Sequence, residues 1–478
     1  MASSRASLTV LVLAAGQGTR MRSKKIKLLH GVAGQPMVSH VLAAAGALRP
    51  QRTITVTGFQ SDDVQSALEA SGTTFVLQRE QRGTGHAVLQ AARLIGRDPR
   101  QTLLIVNGDL PTLRTATLRR LVSRHRRSGA VLSLLTADLD DPSGYGRLVR
   151  DSRGRPLRIV EHRDASADER RLPEINCGIY CARPDRLLQA LRRLRPDNAQ
   201  GEYYITDAVR LLLERGEKVV AVKHDDADEV LGVNTRQELA HAGATLYARK
   251  ADELQSAGVT LLDAGRSWID PRARIGRDTV IYPGVIVQGA CVIGEDCTLL
   301  PGCRIVDSRL GRRVQIKDHS VVLESRVADD VQVGPFAHVR PGSQLDADSR
   351  VGNFVELKKA RLGRGSKAGH LAYLGDATIG ADCNVGAGTI TCNYDGARKH
   401  PTVLGRGVFI GSDSQLVAPV KLGNGAYVAA GSTVTEDVPA GALAIGRGRQ
   451  RNIEGWVARR ATRRKAAKKP QKKKKGGS

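Results

Sequence analysis

The sequence predicts an α/β domain with a mostly parallel sheet, followed by an all-β parallel β-helix built from six-residue repeats. From residue 8 to about 235, short apolar runs alternate with helix-like stretches, which is the pattern of a sheet flanked by helices. Beyond residue 265, aliphatic side chains recur in steps of six, which is too short a period for a helical repeat. We therefore expect coils of three short strands that stack their aliphatic side chains into one core.

The strands of the first domain are predicted at its short apolar runs. They cover residues 8–12, 53–56, 73–77, 103–106, 131–135 and 219–222. The first run continues into a glycine loop without a small-residue cleavage pattern, so it is predicted to be a strand and not the core of a signal peptide. No run approaches 18 consecutive apolar residues, and we therefore expect no membrane span.

Two glycine loops indicate a nucleotide site in the first domain. The first strand ends in the sequence LAAGQGTRM at residues 13–21. Such an ending leaves backbone N–H groups and a guanidinium at the carboxyl end of the strand, where phosphates bind in α/β sheets. A GxG turn alone also fits a tight strand-to-helix turn without a ligand. Arg20, Lys27 and the second loop at residues 83–85 favour the nucleotide.

The second domain shows its repeat in the spacing of its aliphatic residues. Ile275 and Ile293 lie 18 residues apart, and each precedes a glycine, while Leu416 and Leu422 are separated by six. The array is interrupted between residues 389 and 401, where polar groups replace the aliphatic period. A segment that leaves a repeat projects from it, and projecting loops often carry binding groups, although a neutral surface insertion fits the same pattern.

The seven cysteines are an odd number in a long chain without a secretory signal, which favours reduced thiols in a cytoplasm. Cys291, Cys297 and Cys303 recur every six residues. This spacing fits either a metal site or equivalent positions of the six-residue repeat. No CxxC pair or histidine cluster accompanies them, so we interpret the spacing as repeat register.

Of the net charge of +26, eleven units come from residues 459–475, which contain eleven basic and no acidic residues, and the rest of the chain carries +15. This segment lacks the apolar content to fold, and residues 459–478 are predicted to be a disordered basic tail. Its charge alone allows contact with nucleic acid or an anionic membrane surface.

Taken together, the motifs resemble those of known enzymes over residues 8 to 456. The first domain is similar to the sugar-1-phosphate nucleotidyltransferases. The whole chain resembles the family of bacterial bifunctional N-acetylglucosamine-1-phosphate uridyltransferases and glucosamine-1-phosphate acetyltransferases. The segments that carry the likeness are LAAGQGTRM, QREQRGTGHA, GDLPTL, DDPSGYGRLV, VEHRDA, NAQGEYYITD and GNFVELKKARLGRGSKAGHLAYLGDA.

This resemblance implies a cytoplasmic, homotrimeric enzyme of UDP-N-acetylglucosamine synthesis, which supplies peptidoglycan and lipopolysaccharide. Its substrates would be glucosamine 1-phosphate, acetyl-CoA, N-acetylglucosamine 1-phosphate and UTP, with Mg²⁺ as cofactor. The implied domains are a Rossmann-like uridyltransferase domain at residues 1–236, a helical linker at 237–257, and a left-handed β-helix acetyltransferase domain at 258–458, with the tail at 459–478. The acetyl-transfer sites would lie between subunits.

The resemblance also assigns the residues of the first site. Arg20 and Lys27 would hold the triphosphate and the charge that develops on it, and Asp109 and Asn234 would bind Mg²⁺. The residues implied to bind UTP and UDP-N-acetylglucosamine are Leu13, Ala14, Ala15, Gly16, Lys27, Gln78, Gly83, Thr84, Asn107, Gly108, Asp109, Gly146, Glu161, Asn176 and Asn234.

In the second domain the resemblance assigns His370 as the general base that takes a proton from the attacking amine. Ser412 and nearby backbone amides are candidates to stabilise the oxyanion. The residues implied to bind glucosamine 1-phosphate are Arg340, Lys358, Tyr373 and Asn384. Those implied to bind acetyl-CoA are Ala387, Asn393, Tyr394, Ser412, Ala430 and Arg447.

Three residues depart from the family pattern, in which Asn107 is usually tyrosine, Cys177 threonine and Ile26 proline. None of them removes a charge or a metal ligand, so we expect altered affinity and not lost activity. Two alternatives remain at this point. One is a nucleotidyltransferase for another sugar or base whose β-helix serves only assembly, and the other is a basic scaffold with degenerate sites.

Overall fold

The computed structural model describes residues 7–467. The chain divides into two compact units, Met1–Asp307 and Ser308–Ser478. The first unit holds the α/β domain, a long helix and the first coils of the β-helix. The second unit holds the remaining coils and a C-terminal helix.

The α/β domain is built around a sheet with the strand order β11-β7-β10-β6-β1-β4-β5, to which the hairpin β8-β9 is added through β10. Neighbouring strands run parallel except β10, which is antiparallel to β6 and β7. The strands are β1 (Leu8–Ala14), β2 (Gly31–Val32), β3 (Gln35–Pro36), β4 (Arg52–Thr57), β5 (Thr74–Leu77), β6 (Thr102–Asn107), β7 (Leu132–Asp138), β8 (Arg147–Arg150), β9 (Pro156–Val160), β10 (Glu174–Ala182) and β11 (Val219–His224).

Each predicted run is a strand in this sheet, because its central strands are covered on both faces and so consist almost entirely of apolar residues. In β1, Leu11 joins one buried cluster, whereas Val10 and Val12 join the cluster on the opposite face. The antiparallel strand β10 and the hairpin β8-β9 were not predicted. Their sequences contain polar residues and a glycine where the ladder between β10 and β7 shifts register.

The helices of the first unit cover both faces of the sheet and end in a long connector. They are α1 (Met37–Gly46), α2 (Ser61–Ala67), α3 (Thr84–Gln90), α4 (Ala92–Ile95), α5 (Thr115–Ser128), α6 (Ala167–Arg170), α7 (Pro184–Leu191), α8 (Asp207–Glu214) and α9 (Arg236–Ser256). Single 3₁₀ turns are formed by Thr19–Met21, Lys27–Leu29, Glu69–Ser71, Ala227–Glu229 and Ala264–Arg266. Helix α9 lies where a helix was predicted at residues 237–257, and it begins with a capping box between Thr235 and Glu238.

The first coils of the β-helix follow α9 in the same unit. Their strands are Thr260–Leu261, Trp268–Ile269, Arg274–Ile275, Val280–Ile281, Ile286–Gln288, Val292–Ile293, Thr298–Leu299 and Arg304–Val306. Ile275 pairs in parallel with Ile293, as the 18-residue period predicts. Cys291, Cys297 and Cys303 are buried in the coil interior, and each directly precedes a short strand, at Val292–Ile293, Thr298–Leu299 and Arg304–Val306. Their spacing follows the six-residue repeat.

The described residues of the second unit form three faces of parallel strands. The first face contains Gln315–Ile316, Gln332–Val333, Arg350–Asn353, Lys367–His370, Asn384–Val385, Phe409–Ile410, Tyr427–Val428 and Leu443–Ala444. The second contains Val321–Leu323, His338–Val339, Glu356–Lys358, Tyr373–Gly375, Ile390–Cys392, Gln415–Val417 and Thr433–Val434. The third contains Arg309–Leu310, Arg326–Val327, Gln344–Leu345, Arg361–Leu362, Ala377–Ile379, Thr402–Leu404 and Val420–Leu422.

The interruption predicted at residues 389–401 is narrower in the structure. Ile390–Cys392 remains a strand of the second face, and residues 393–401 form the projecting loop before Thr402–Leu404.

At the C-terminus, helix α10 (Trp456–Ala467) corrects the prediction that disorder begins at residue 459. Arginine and alanine have high helix propensity, and they outweigh the low apolar content on which the prediction relied. The rest of the predicted tail, residues 468–478, lies outside the described residues. Within residues 7–467, no helix has the length and hydrophobicity needed to cross a bilayer.

Candidate active sites

The first site is centred on the ammonium group of Lys27. Its Nζ donates hydrogen bonds to Oδ2 of Asp109 at 2.6 Å and to Oδ1 of Asn234 at 3.0 Å. Asp109 follows β6 and Asn234 immediately precedes the cap of α9, and the two segments are joined because Val233 N–H donates to the carbonyl of Asp109 at 2.9 Å. The two residues predicted to bind metal thus lie close together, and an oxygen of each accepts a hydrogen bond from the ammonium of Lys27.

The glycine loop after β1 packs against the side chain of Lys27. Gly18 has a φ of +68°, and a Cβ atom added there would lie 2.4 Å from Cβ of Lys27. A side chain at position 18 would therefore be both strained and in collision with Lys27. Arg20 lies on the exposed 3₁₀ turn Thr19–Met21.

A cavity of about 460 Å³ opens beside this loop at the carboxyl ends of β1, β5 and β6. Ten predicted residues line it, namely Leu13, Ala14, Ala15, Gly16, Lys27, Gln78, Gly83, Thr84, Asn107 and Asp109. Sequence reasoning did not assign a further seven, Gln17, Gly18, Thr19, Leu28, Gln81, Ala87 and Glu202. All but Leu28 belong to three segments that carry the family resemblance, LAAGQGTRM, QREQRGTGHA and NAQGEYYITD. Membership of these segments was the signal that could have identified them. The predicted Arg20, Gly108, Gly146, Glu161, Asn176 and Asn234 are not among the lining residues.

One end of the cavity is shaped by the amide of Gln78, whose side chain is buried. Its Nε2 donates to the carbonyl of Gly83 at 3.1 Å and lies 3.0 Å from Nδ1 of His86. Gly83 caps helix α3 with a φ of +97°, which only glycine adopts easily. Thr84 Oγ1 accepts a hydrogen bond from Ile205 N–H at 3.1 Å. These contacts fix the amide at the wall of the cavity.

The residues predicted to bind the sugar form a second cluster. Asn176 N–H donates to the carbonyl of Gly146 at 2.8 Å, and a Cβ on Gly146 would lie 3.2 Å from the Glu161 carboxyl group. Thr206 Oγ1 donates to Oε1 of Glu161 at 3.0 Å. Burial raises the pKa of Glu161, and the Thr206 hydrogen bond opposes this only in part.

Asn107 connects the sugar cluster to the cavity. It lines the cavity, and its Nδ2 would lie 2.3 Å from a Cβ on Gly178, a residue in the irregular part of β10. Gly178 N–H donates to Oδ1 of Asn176 at 3.3 Å. The residues predicted to bind the sugar therefore adjoin the cavity through Asn107 and Gly178.

The second site lies along one corner of the β-helix. Asn353 pairs with His370 in the next coil, and Oδ1 of Asn353 lies 2.6 Å from Nδ1 of His370. The strand register continues this position through successive coils to Ala387, Ser412 and Ala430. Four residues predicted separately for acetyl transfer thus lie in one column at the end of the first face.

A column of glycines immediately precedes these residues. A Cβ on Gly352 would lie 1.8 Å from the carbonyl oxygen of Gly369. A Cβ on Gly386 would lie 2.6 Å from the backbone nitrogen of Ser412, and one on Gly411 2.4 Å from that of Ala430. The coils can approach this closely only without side chains at these positions.

A basic cluster lies at the second face, near the projecting loop. The guanidinium of Arg340 pairs with Oε1 of Glu356 at 2.7 Å. The ammonium of Lys399, on the projecting loop, lies against that of Lys358 and lowers the pKa of Lys358. Tyr373 pairs in register with Glu356. Lys399 was missed by sequence reasoning, although it belongs to the loop that the interrupted repeat had marked.

The remaining predicted residues are distributed around this cluster. Asn393 Nδ2 donates to Oδ2 of Asp376, and Tyr394 is exposed, with its hydroxyl donating to the carbonyl of Gly396. Arg447 donates to the carbonyl of Ala430 at 2.5 Å. Asn384 lies on the first face, paired with Lys367, and so lies on a different face from Lys358 and Tyr373.

Comparison with known proteins decides the family. A family model for a MobA-like NTP transferase domain matches residues 10–209, and one for bacterial transferase hexapeptide repeats matches 272–307 and 401–436. The relatives named Bifunctional protein GlmU include one from Trichlorobacter lovleyi, 51% identical over 94% of this chain and 98% of its own. Another, from Geobacillus sp. (strain WCH70), is 47% identical over 94% of this chain and 97% of its own. The chain belongs to the bifunctional GlmU family.

Membership of the GlmU family confirms the predicted fold class, a nucleotidyltransferase domain with a mostly parallel sheet followed by a left-handed β-helix of hexapeptide repeats. It also confirms the predicted pair of activities, uridyl transfer in the first domain and acetyl transfer to glucosamine 1-phosphate in the second.

The three departures from the GlmU pattern lie close to the first site. Asn107 is in contact with Gly178, as described above. Cys177, which precedes Gly178 in β10, is buried, and burial raises the pKa of its thiol. Ile26 is buried directly before Lys27 and packs in the core below it. The expectation of altered affinity without lost activity stays a prediction.

Proposed function

We propose that the cavity beside Lys27 is the uridyltransferase site, where UMP passes from UTP to N-acetylglucosamine 1-phosphate. The observation that carries this proposal is the contact of Lys27 Nζ with both Asp109 and Asn234 at the edge of the cavity. One carboxylate and one amide oxygen are hard donors of the kind that Mg²⁺ prefers. Asp109 and Asn234 would hold this ion, which supplies charge neutralisation to the phosphates when bound.

The chain's own residues account for binding and positioning. A phosphate oxygen of the sugar phosphate attacks the α-phosphorus of UTP, the α–β bridging bond breaks, and pyrophosphate leaves. Lys27 and Arg20 neutralise the triphosphate, and the backbone N–H groups of the loop at Gly16 position it. Gln78, with the loop at Gly83, reads the edge of the uracil.

The sugar cluster orients the acceptor. Glu161 and Asn176 offer a carboxyl group and an amide to the hydroxyl and N-acetyl groups of N-acetylglucosamine 1-phosphate. Gly146 leaves space in front of the Glu161 carboxyl group, because a Cβ there would lie only 3.2 Å from it.

For the second site we propose that His370 is the general base of acetyl transfer. Its Nε2 accepts a proton from the amine of glucosamine 1-phosphate as the amine attacks the thioester carbonyl of acetyl-CoA, and the thiolate of CoA leaves. Arg340, Lys358 and Lys399 form a positive site suited to the sugar phosphate. Ser412 lies in the same column as His370, which supports a role for it in stabilising the oxyanion.

The acetyl-transfer site would be completed by another subunit in a homotrimer. Asn384 lies on a different face from Lys358 and Tyr373, so one chain does not gather the whole predicted set. A row of exposed apolar side chains also borders the His370 column: Phe336, Phe354 and Leu371 are 48%, 56% and 60% exposed. Such a row suits burial against a second copy of the chain. UTP and acetyl-CoA are cytoplasmic metabolites, and the protein would act in that compartment.

The test is an assay of the purified protein with glucosamine 1-phosphate, acetyl-CoA, UTP and Mg²⁺, omitting one component at a time. Free CoA and pyrophosphate are measured separately. We expect CoA release without UTP, and pyrophosphate release that requires Mg²⁺ and either acetyl-CoA or added N-acetylglucosamine 1-phosphate. Asp109→Asn should remove only pyrophosphate release. Pyrophosphate without CoA would contradict the acetyl-transfer site.

A further inference from the structure

The position of the Lys27 ammonium bears on how the divalent cation enters. Nζ contacts Asp109 and Asn234 at 2.6 and 3.0 Å, and the side chains of Lys27 and Asp109 are only 10% and 19% exposed. Little water screens this contact, so the ion pair is stronger than a surface pair. Both oxygens are the ones proposed above to hold Mg²⁺.

The Lys27 stem is held where it is. An added Cβ on Gly18 would meet Cβ, Cδ and Cγ of Lys27 at 2.4, 3.1 and 3.2 Å, so the backbone of the glycine loop packs along the aliphatic chain. Ile26, directly before it, is buried. The packed stem therefore holds the ammonium beside the two oxygens, and the glycine loop that would bind phosphate lies next to it.

A divalent cation and the Lys27 ammonium compete for the same two oxygens, Oδ2 of Asp109 and Oδ1 of Asn234. A Mg²⁺ ion bonds to oxygen at about 2.0–2.1 Å, so an ion on the same two oxygens would lie only a few ångströms from the ammonium. Repulsion between a divalent and a monovalent charge at that separation is severe in a poorly hydrated site. The metal must displace Lys27, or the ammonium must move to another anion first.

We propose that Lys27 is the internal counter-ion of the divalent-cation site and competes with the cation for Asp109 and Asn234. The nucleotide triphosphate draws the ammonium away and so opens the site. This inference rests on the proposed assignment of Asp109 and Asn234 as metal ligands. Because coupling between two ligands is reciprocal, cation and nucleotide bind with positive cooperativity, and Lys27 carries the coupling.

The test measures Mn²⁺ binding to the full-length protein without nucleotide, from the electron paramagnetic resonance signal of free Mn²⁺. Lys27→Met removes the competing charge, and we expect it to bind Mn²⁺ roughly 10- to 100-fold more tightly than the unchanged protein, since a hydrogen bond between charged partners no longer has to be broken. Lys24→Met, which removes an exposed lysine three residues away, is the matched control and should bind Mn²⁺ as the unchanged protein does.

Two further variants keep the outcomes distinct. Lys27→Gln keeps a donor toward Asp109 without the charge, and it should also bind Mn²⁺ more tightly. Adding Asp109→Asn to Lys27→Met should abolish the gain; if tight binding persists, the metal ligands are misassigned and the proposal falls with them. If neither Lys27 variant gains affinity while both retain acetyl transfer and native circular dichroism, the competition is refuted. The assignment of uridyl transfer, tested by pyrophosphate release, would be unaffected.

Discussion

Oδ1 of Asn353 lies 2.6 Å from Nδ1 of His370, one coil further along the β-helix. An amide oxygen only accepts hydrogen bonds, so this contact places the imidazole hydrogen on Nδ1 and leaves the lone pair of Nε2 free for a proton from substrate. Asn353 thus selects the tautomer that a general base requires.

The first prediction follows from this pair. His370→Ala should lower kcat for acetyl transfer roughly 100- to 10,000-fold, which is the usual contribution of a positioned general base. Asn353→Leu should cause a smaller loss, because the base remains but its tautomer is no longer fixed. CoA release measures both effects, and pyrophosphate release from added N-acetylglucosamine 1-phosphate should not change. Full acetyl transfer by His370→Ala would remove His370 from the mechanism.

A second prediction concerns Gly18. Gly18→Ala should reduce uridyl transfer roughly 100-fold, since a displacement of about 1 Å at a reacting group has that effect and the new Cβ collides with Lys27. Gly72→Ala is the matched control, because Gly72 has a similar φ of +67° with nothing within 4 Å of the added Cβ. Equal loss of pyrophosphate release in both variants would show that backbone strain, and not the collision, is responsible.

The third prediction is a pH dependence of stability that comes from His125. Burial lowers the pKa of this imidazole from 6.5 to about 4. Between these values the unfolded chain binds the proton and the folded protein does not, so the free energy of unfolding rises with pH, by up to about 3 kcal/mol. His125→Asn should flatten this rise in urea denaturation between pH 4 and 6.5. The exposed His241→Asn should leave it intact, and an unaltered slope in His125→Asn would contradict the assignment.

The fourth prediction concerns assembly. Phe354 is 56% exposed and stacks on Phe336 with ring centroids 5.5 Å apart. Phe354→Ser should weaken the proposed trimer, seen as a lower mass in sedimentation equilibrium, and should reduce acetyl transfer more than uridyl transfer. Leu157→Ser, which removes a similarly exposed side chain from the first domain, should change neither. A fully trimeric Phe354→Ser protein would move the interface elsewhere.

The fifth prediction concerns the basic C-terminus. Removing residues 459–478 should leave both activities unchanged and should abolish salt-sensitive binding to single-stranded RNA, because eleven basic residues release counterions on binding a polyanion. Fluorescence anisotropy at two salt concentrations measures this. If the shortened protein binds RNA as well as the full chain, the basic segment has no such role.

Much of the fold could be predicted because buried strands appear in the sequence as runs of apolar residues. β1 and β6 are apolar except at Thr9, Thr102 and Asn107, since both faces of the sheet are covered. Strand β10 was not predicted because Asn176 and Gly178 interrupt its apolar pattern, and these two residues belong to the sugar cluster. Residues that form the candidate site thus replace the apolar residues by which a strand is recognised.

The candidate sites could be predicted only through resemblance. Lys27 is 82 residues from Asp109 and 207 from Asn234, and no spacing rule connects positions so far apart. Asn353 was missed because the coils differ in length. It is 17 residues before His370, while the register from Val385 to Ile410 spans 25, so counting in steps of 18 does not follow the column.

The stacked coils also determine how the second domain comes apart on warming. Each coil is stabilised by the coils above and below it, and within the described residues the terminal strand Leu443–Ala444 pairs only with Tyr427–Val428. Unfolding would begin at this end and proceed coil by coil, so the coils that carry Arg447 and Ala430 would unfold before the coil that carries His370. A gently heated enzyme would first lose the residues proposed to bind acetyl-CoA, while His370, the proposed base, is still in place.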